Sequence, residues 1–448
     1  MAILSSSEAE ALLQKVLSFS KADEMEASLR GGRTAYTRFG VSSASTSGDT
    51  DDLELVVNAH FGKRGGIATT NTLDDAGLER VVRAAEEIAR LRPEDPEMMP
   101  FLEKQKYATI ETAFDEATYR ADAQTRARGV AATIDPARSK NLLAAGLFDH
   151  AGSFAARANT HGNFAYNKNS LSSFTTTVRT PDGTGSGWAS AMSHRIAEID
   201  AAALGTRAIM KAELSHNAVA IEPGNYTVIL EPNATGDLIG NMFGFFNARS
   251  ADEGRSFLSK KGGGNRLGEQ IFGEGVNIYT DPTLLSAPGA PFDGEGLPTE
   301  KMDIVRGGVL KNLFYSRYWA KKQDKQPTPA PSNIIIEGGN TSIEEMIKTT
   351  ERGVLVTRFW YIRLVDPQSV LYTGLTRDGT FLIENGRIKS AIKNFRFNET
   401  PVKVLHNVEA MSPSVRITGS ERVGAGRPIL APALKVRDFS FTSLSDAV

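Results

Sequence analysis

Along the chain, apolar positions first recur at helical spacing in Leu12, Leu13, Val16 and Leu17. Ser7 and Glu10 stand ahead of this stripe in a capping-box pattern, so an amphipathic helix is predicted over roughly residues 7–19. Ala27 to Phe39 and Leu53 to His60 read as strands; in the second, Leu53, Leu55 and Val57 fall at period two. Thr46-Ser47-Gly48-Asp49 supplies the expected turn between them. A second helix is predicted over about 74–91, with Leu78, Val81, Val82, Ala85, Ile88 and Ala89 as its buried stripe and Pro93 marking its end. A third is expected over about 114–132.

From 140 to 191 the pattern becomes a meander of strands, with breaks at Ala151-Gly152, His161-Gly162, Asn167-Lys168-Asn169 and Pro181-Asp182-Gly183. A helix over about 197–213 closes this half. His216-Asn217 and Glu222-Pro223-Gly224 then mark a boundary, giving an expected division into domains 1–218 and 219–448. The second half is rich in short strands and glycine turns. Tyr226–Leu230 is a compact strand, followed by a helix with Asn233 or Thr235 near its cap and Leu238, Ile239, Met242, Phe243, Phe245 and Phe246 along one side. Ala320 to Pro331 has the composition of a mobile loop, and Asp378-Gly379 and Asn385-Gly386 are hairpin signals.

Composition narrows the classes. At 448 residues, 40% hydrophobic and a mean hydropathy of -0.25, the chain has material for sizeable cores in two domains. Its 51 basic and 53 acidic residues give no electrostatic reason to expect nucleic acid or an anionic membrane as partner. No apolar run approaches the ~20 residues of a membrane span, and no secretory signal is visible, so a cytoplasmic location is expected. The absence of cysteine removes disulfides, thiolate zinc ligands and a Cys nucleophile together.

The candidate chemistry is sparse. A metalloprotease needs imidazoles or carboxylates converging on zinc and a carboxylate to take the water proton. Of His60, His150, His161, His194, His216 and His406, no two stand at helical spacing with a neighbouring Glu. His150 and His161 could face each other across a hairpin with Asp149 nearby, although solvent-facing strand positions are the plainer reading. The stretch from Lys260 through Gly262-Gly263-Gly264 to Arg266 lacks the Lys-Ser/Thr end of a phosphate loop. It reads either as a solvated loop or as a flap contacting peptide or partner. The Phe-rich helix reads as core, or alternatively as the lining of a cavity.

Four segments, in order, resemble the TldD/PmbA family. They are Gly48-Asp49 with Val56 through Thr70, Phe292-Asp293-Gly294-Glu295-Gly296 leading into Gly307 through Asn312, Gly379 through Ile388 with Ile392 through Arg396, and Pro432 through Phe439. The resemblance implies an α+β fold: an N-terminal antiparallel sheet with flanking helices, then a β-rich, barrel-like domain. It further implies dimers enclosing a peptide-sized cavity, in which a TldD-type zinc protease with an HExxxH helix and a Cys ligand pairs with a TldE (PmbA) type lacking the ligands. Matching Thr235-Gly236 to the turn before the zinc helix places Gly240 at the first His, Asn241 at the Glu and Phe245 at the second His. Glycine and phenylalanine cannot ligate a metal, and an amide cannot act as general base.

The expectation is therefore a non-catalytic PmbA/TldE-like subunit with no metal and no cofactor. Its expected partners are a TldD-like zinc protease and an unfolded or leader peptide. A self-associating homodimer that binds peptide without protease activity is the alternative, and an enzyme of unrelated chemistry in the same cavity a third. Arg255, Lys260, Lys261 and Arg266 are the candidate peptide or partner contacts, from loop composition and nearness to the zinc-helix equivalent.

Overall fold

A computed structural model describes residues 3–419 and 427–445. The first half begins with helix α1 (Ser6–Ser18), whose capping box uses Ser5 and Glu8, two residues earlier than the Ser7–Glu10 pattern predicts. Its strands are β1 (Glu24–Gly40), β2 (Ser43–Phe61), β3 (Arg64–Thr70), β4 (Leu143–Asn159), β5 (Phe164–Arg179) and β6 (Ser186–Ser193). They form one antiparallel sheet in the order β3-β2-β1-β4-β5-β6.

The strands are longer than the sequence pattern predicts. The β1–β2 turn falls at Val41-Ser42, where both residues have positive φ, and Gly48 pairs with Tyr36 inside the ladder. The 43–52 stretch is largely solvated on both faces, so it carries no alternation and imitates a loop. Ala151-Gly152 and Asn167-Lys168-Asn169 likewise lie within β4 and β5, whereas turns do occur near His161-Gly162 and Pro181-Asp182-Gly183.

Helices α2 (Asp75–Leu91), α3 (Glu116–Tyr119), α4 (Ala123–Ser139) and α5 (Ala201–Ser215) complete this half. Thus the single expected helix over 114–132 is two, the longer one running seven residues further and containing Pro136. In α2 the predicted stripe is buried except for Ile88, which is exposed. One face of the sheet carries two cores. Met25, Ala27 and Leu29 pack with α1 and α2, and Phe39, Phe148 and Phe174 with α4 and α5.

In the second half, β7 (Gly224–Leu230) leads into α6 (Pro232–Gly240). Short strands β8 (Ile278–Thr280), β9 (Met302–Arg306), β10 (Val309–Leu310) and β11 (Ile334–Ile336) follow. Then come β12 (Arg352–Asp366), β13 (Leu371–Glu384), β14 (Arg387–Ala391), β15 (Phe395–Glu399), β16 (Val408–Met411), β17 (Val415–Arg416), β18 (Ile429–Ala431) and β19 (Leu434–Leu444). Neighbours in the order β12-β7-β19-β15-β13 are paired, and β13 pairs back to β12, which closes a five-stranded barrel. A second sheet runs β10-β9-β8-β11-β18-β17. The α+β architecture, an antiparallel sheet with helices followed by a β-barrel region, is as expected from sequence.

Two loop expectations change. Asn385-Gly386 is the β13–β14 turn, but Asp378-Gly379 sits inside β13 at a register shift opposite β12. Both residues have positive φ there, so the local chemistry of a turn serves a bulge. Ala320 belongs to a short helix, Arg317–Lys322, and is fully buried rather than part of a loop. Among the described residues no helix is long and apolar enough to cross a membrane.

Candidate functional site

Helix α6 starts from Pro232 at its first turn, where a missing N–H costs nothing, and buries Ala234, Leu238 and Ile239. Its N-cap, Glu231, accepts from Lys211 of α5 at 2.6 and 2.7 Å. Burial pushes the Lys211 ammonium below its ordinary lysine value, and the Glu231 charge opposes that shift. Gly236 is required by close approach, since a Cβ there would lie 2.1 Å from Ile417 Cδ1.

After Gly240 the coil tightens into a 3-10 turn over Asn241–Phe246, so the Phe-rich helix of the sequence pattern is two pieces. A side chain at residue 240 would meet Ile429 Cδ1 at 3.1 Å, an apolar neighbour. Asn241 is exposed; its Nδ2 donates to Asp237 O at 2.6 Å, and its own carbonyl accepts from Tyr372 Oη at 2.9 Å. Met242, Phe243 and Phe246 are buried, and Phe245 packs half-buried against the main core. The segment is an apolar packing element whose one exposed polar side chain is a neutral amide.

Histidines do not converge here. His60 stacks on Phe101 at 4.2 Å and lies 3.9 Å from Glu24, while His161 contacts Glu24 at 3.4 Å and Glu103 at 2.8 Å. His150 is buried, not solvent-facing, and meets Arg126 Nη1 at 2.7 Å. It pairs across the sheet with Ser172, so it does not face His161. Burial and the neighbouring Arg126 charge push the His150 imidazole down to about 4, leaving it neutral. Among the described residues no group of three or more His, Asp or Glu is placed to hold a metal ion.

The four basic candidates lie on the chain leaving this segment. Arg255 is exposed and paired with Glu253; Lys260 and Arg266 share Glu269 at 3.0 and 2.9 Å; Lys261 is exposed on the glycine loop. Ser256 Oγ donates to Phe245 O at 2.9 Å, and the Phe257 ring stands edge-on to Phe246 at 5.9 Å. The loop is therefore anchored behind the 241–246 turn.

Sequence reasoning missed two buried charge pairs beside the site. Lys211–Glu231 ties α5 to the start of α6. Asp378, in the β13 bulge, accepts from Arg358 Nε at 2.7 Å and also from Ser186 of β6. Burial opposes Asp378 ionisation, but the Arg358 charge and these hydrogen bonds outweigh it and hold the carboxyl below its usual range. Lys211 on an apolar helix face was the one available signal; Asp378 was hidden by its resemblance to a turn residue.

Residues 223–443 match the family model described as the PmbA/TldA metallopeptidase C-terminal domain. A protein named Metalloprotease PmbA from Escherichia coli O157:H7 is 23% identical over 428 residues, covering 89% of this chain and 90% of that one. A protein named Metalloprotease from Methanothermobacter thermautotrophicus is 28% identical over 234 residues, so the chain spans about half the length of that relative, 48%. The crystal structure of TldE from Thermococcus kodakarensis superposes with a TM-score of 0.86 at 19% identity, covering 97% of this chain and 99% of that one.

Proposed function

This chain belongs to the TldD/PmbA family, and from that premise we propose that it is a PmbA/TldE-like, non-catalytic subunit of a TldD-type metalloprotease system. It works in the cytoplasm on unfolded or leader peptides, its two domains dividing near residue 218. One observation carries the reading: α6 and its 3-10 continuation pack Leu238, Ile239, Met242, Phe243 and Phe246 into the core, while Gly240, Asn241 and Phe245, which the family resemblance aligns with the ligand and base positions, are residue types without that chemistry. Glycine and a phenyl ring offer no donor to a metal, and the Asn241 amide has no basic lone pair for a water proton. Packing without chemistry is what a subunit needs if its role is to complete a chamber and hold an extended peptide.

The test is reconstitution of the purified chain with a TldD-like partner. Peptide cleavage by the mixture, absent from this chain alone and reduced without it, is the expected result, together with co-elution of the two. A partner that cleaves equally well alone and does not co-elute with this chain would falsify the proposal.

A further inference from the structure

Behind the 241–246 turn lies a solvent-open cavity of about 420 Å³. Phe257, Ile271 and Val402 give it an apolar lining, and Arg266, Lys403 and His406 bring three basic side chains to the same space. This size and mixture, apolar walls with a few convergent polar groups, is that of a small-ligand site. The edge contact of Phe257 on Phe246 makes the lining continuous with the 241–246 turn.

The donors are partly committed. Arg266 spends Nε on Glu269 at 2.9 Å and directs Nη2 to Gln270 O at 3.5 Å, which leaves Nη1 for a further acceptor. Lys403 Nζ bonds Glu399 at 2.8 Å with one of its three protons. Glu269 is shared with Lys260, so the three cations Arg266, Lys260 and Lys403 face two carboxylates, Glu269 and Glu399, and the surplus of one positive charge favours a monoanion over a phosphate dianion. The apolar lining in turn calls for a hydrophobic body attached directly to that anion.

We propose that this cavity binds the C-terminal carboxylate of a peptide that ends in a bulky apolar residue, the side chain lying on Phe257, Ile271 and Val402 and the carboxylate meeting Arg266 and Lys403. The proposal rests on the peptide-handling role above and names the part of the peptide recognised. Such an end is carried by a cleavage product or by the natural terminus of a substrate, and both present the same chemistry.

The full chain is titrated with a fluorescein-labelled hexapeptide ending in Phe, as the free acid and as the C-terminal amide, by fluorescence anisotropy. The acid binds tighter by roughly tenfold, the worth of one charge-assisted hydrogen bond. Arg266→Leu removes that preference, and Arg266→Lys keeps part of it. On the unaltered chain, N-acetylphenylalanine displaces the peptide acid and N-acetylphenylalaninamide does not, a readout independent of how well a variant folds. Equal affinity for acid and amide, or a preference unchanged in folded Arg266→Leu, overturns the assignment. Partner-dependent cleavage without any acid preference sinks the pocket alone; acid preference with a partner indifferent to this chain sinks the subunit role alone.

Discussion

His150 shows how a single residue's environment decides what it can do. On a strand in water it would titrate near 6.5, but its burial against Arg126 holds it neutral down to about 4. A folded-state value below the unfolded one means that its contribution to stability is complete above about 6.5 and is lost as pH falls from there toward 4. His150→Gln keeps an acceptor for Arg126 and removes the titration. Thermal melts from pH 7 to 4 should therefore fall less steeply in the variant, by up to one bound proton in that window. A variant slope equal to that of the parent would show that other groups govern the acid limit. Sequence could name His150 but not its partner, because Arg126 reaches it from a helix 24 residues away in the chain. That Gly240 and Phe245 offer no ligand and Asn241 no base was legible for the opposite reason: it depends on residue type alone.

At the scale of elements, β13 is held by its bulge. Asp378 turns inward there, where Arg358, itself against the Trp188 and Trp360 rings, and Ser186 surround it. Asp378→Asn removes the buried carboxylate that Arg358 and Arg377 share, a loss of about 3–5 kcal/mol that denaturant melts would register. A loss below about 1 kcal/mol would mean that Asp378 is not the charge that holds Arg358 in place. The dipeptide Asp378-Gly379 reads as a hairpin because positive φ is needed in a turn and in a bulge alike. The polar run before Leu53 misleads in the same way: a ladder whose two faces both meet water has no hydrophobic period to display. Helix α2, packed on one face only, shows its period plainly, and only Ile88 at the margin departs from it.

Across the whole molecule, polar ties join the first half to the second, and the Lys211 end of one is buried. Lys211 meets Glu231, Arg249 meets Glu97 at 2.7 and 2.9 Å, and Tyr107 Oη donates to Gly296 O at 2.7 Å. Glu231→Ala strands the buried Lys211 ammonium and should cost about 3–5 kcal/mol. The double variant Lys211→Met, Glu231→Leu removes both charges and should recover most of that stability in calorimetry. Failure of the double variant to recover would assign the loss to packing at the start of α6 and not to an orphaned charge. The partners in these ties were not legible in the chain, although Lys211 on an apolar helix face hinted at one of them, since each is chosen by packing that no local pattern encodes.

Barrel closure also sets an order in time. Strand β19, Leu434–Leu444, lies between β7 and β15. During synthesis β7 leaves the ribosome some two hundred residues before the strand that covers its edge. Until then the edges of β7 and β15 that β19 will cover stay exposed, in a nascent chain whose first half can already be folding. A chain interrupted ahead of Leu434 would thus keep those edges open, a sticky intermediate in place of a closed barrel.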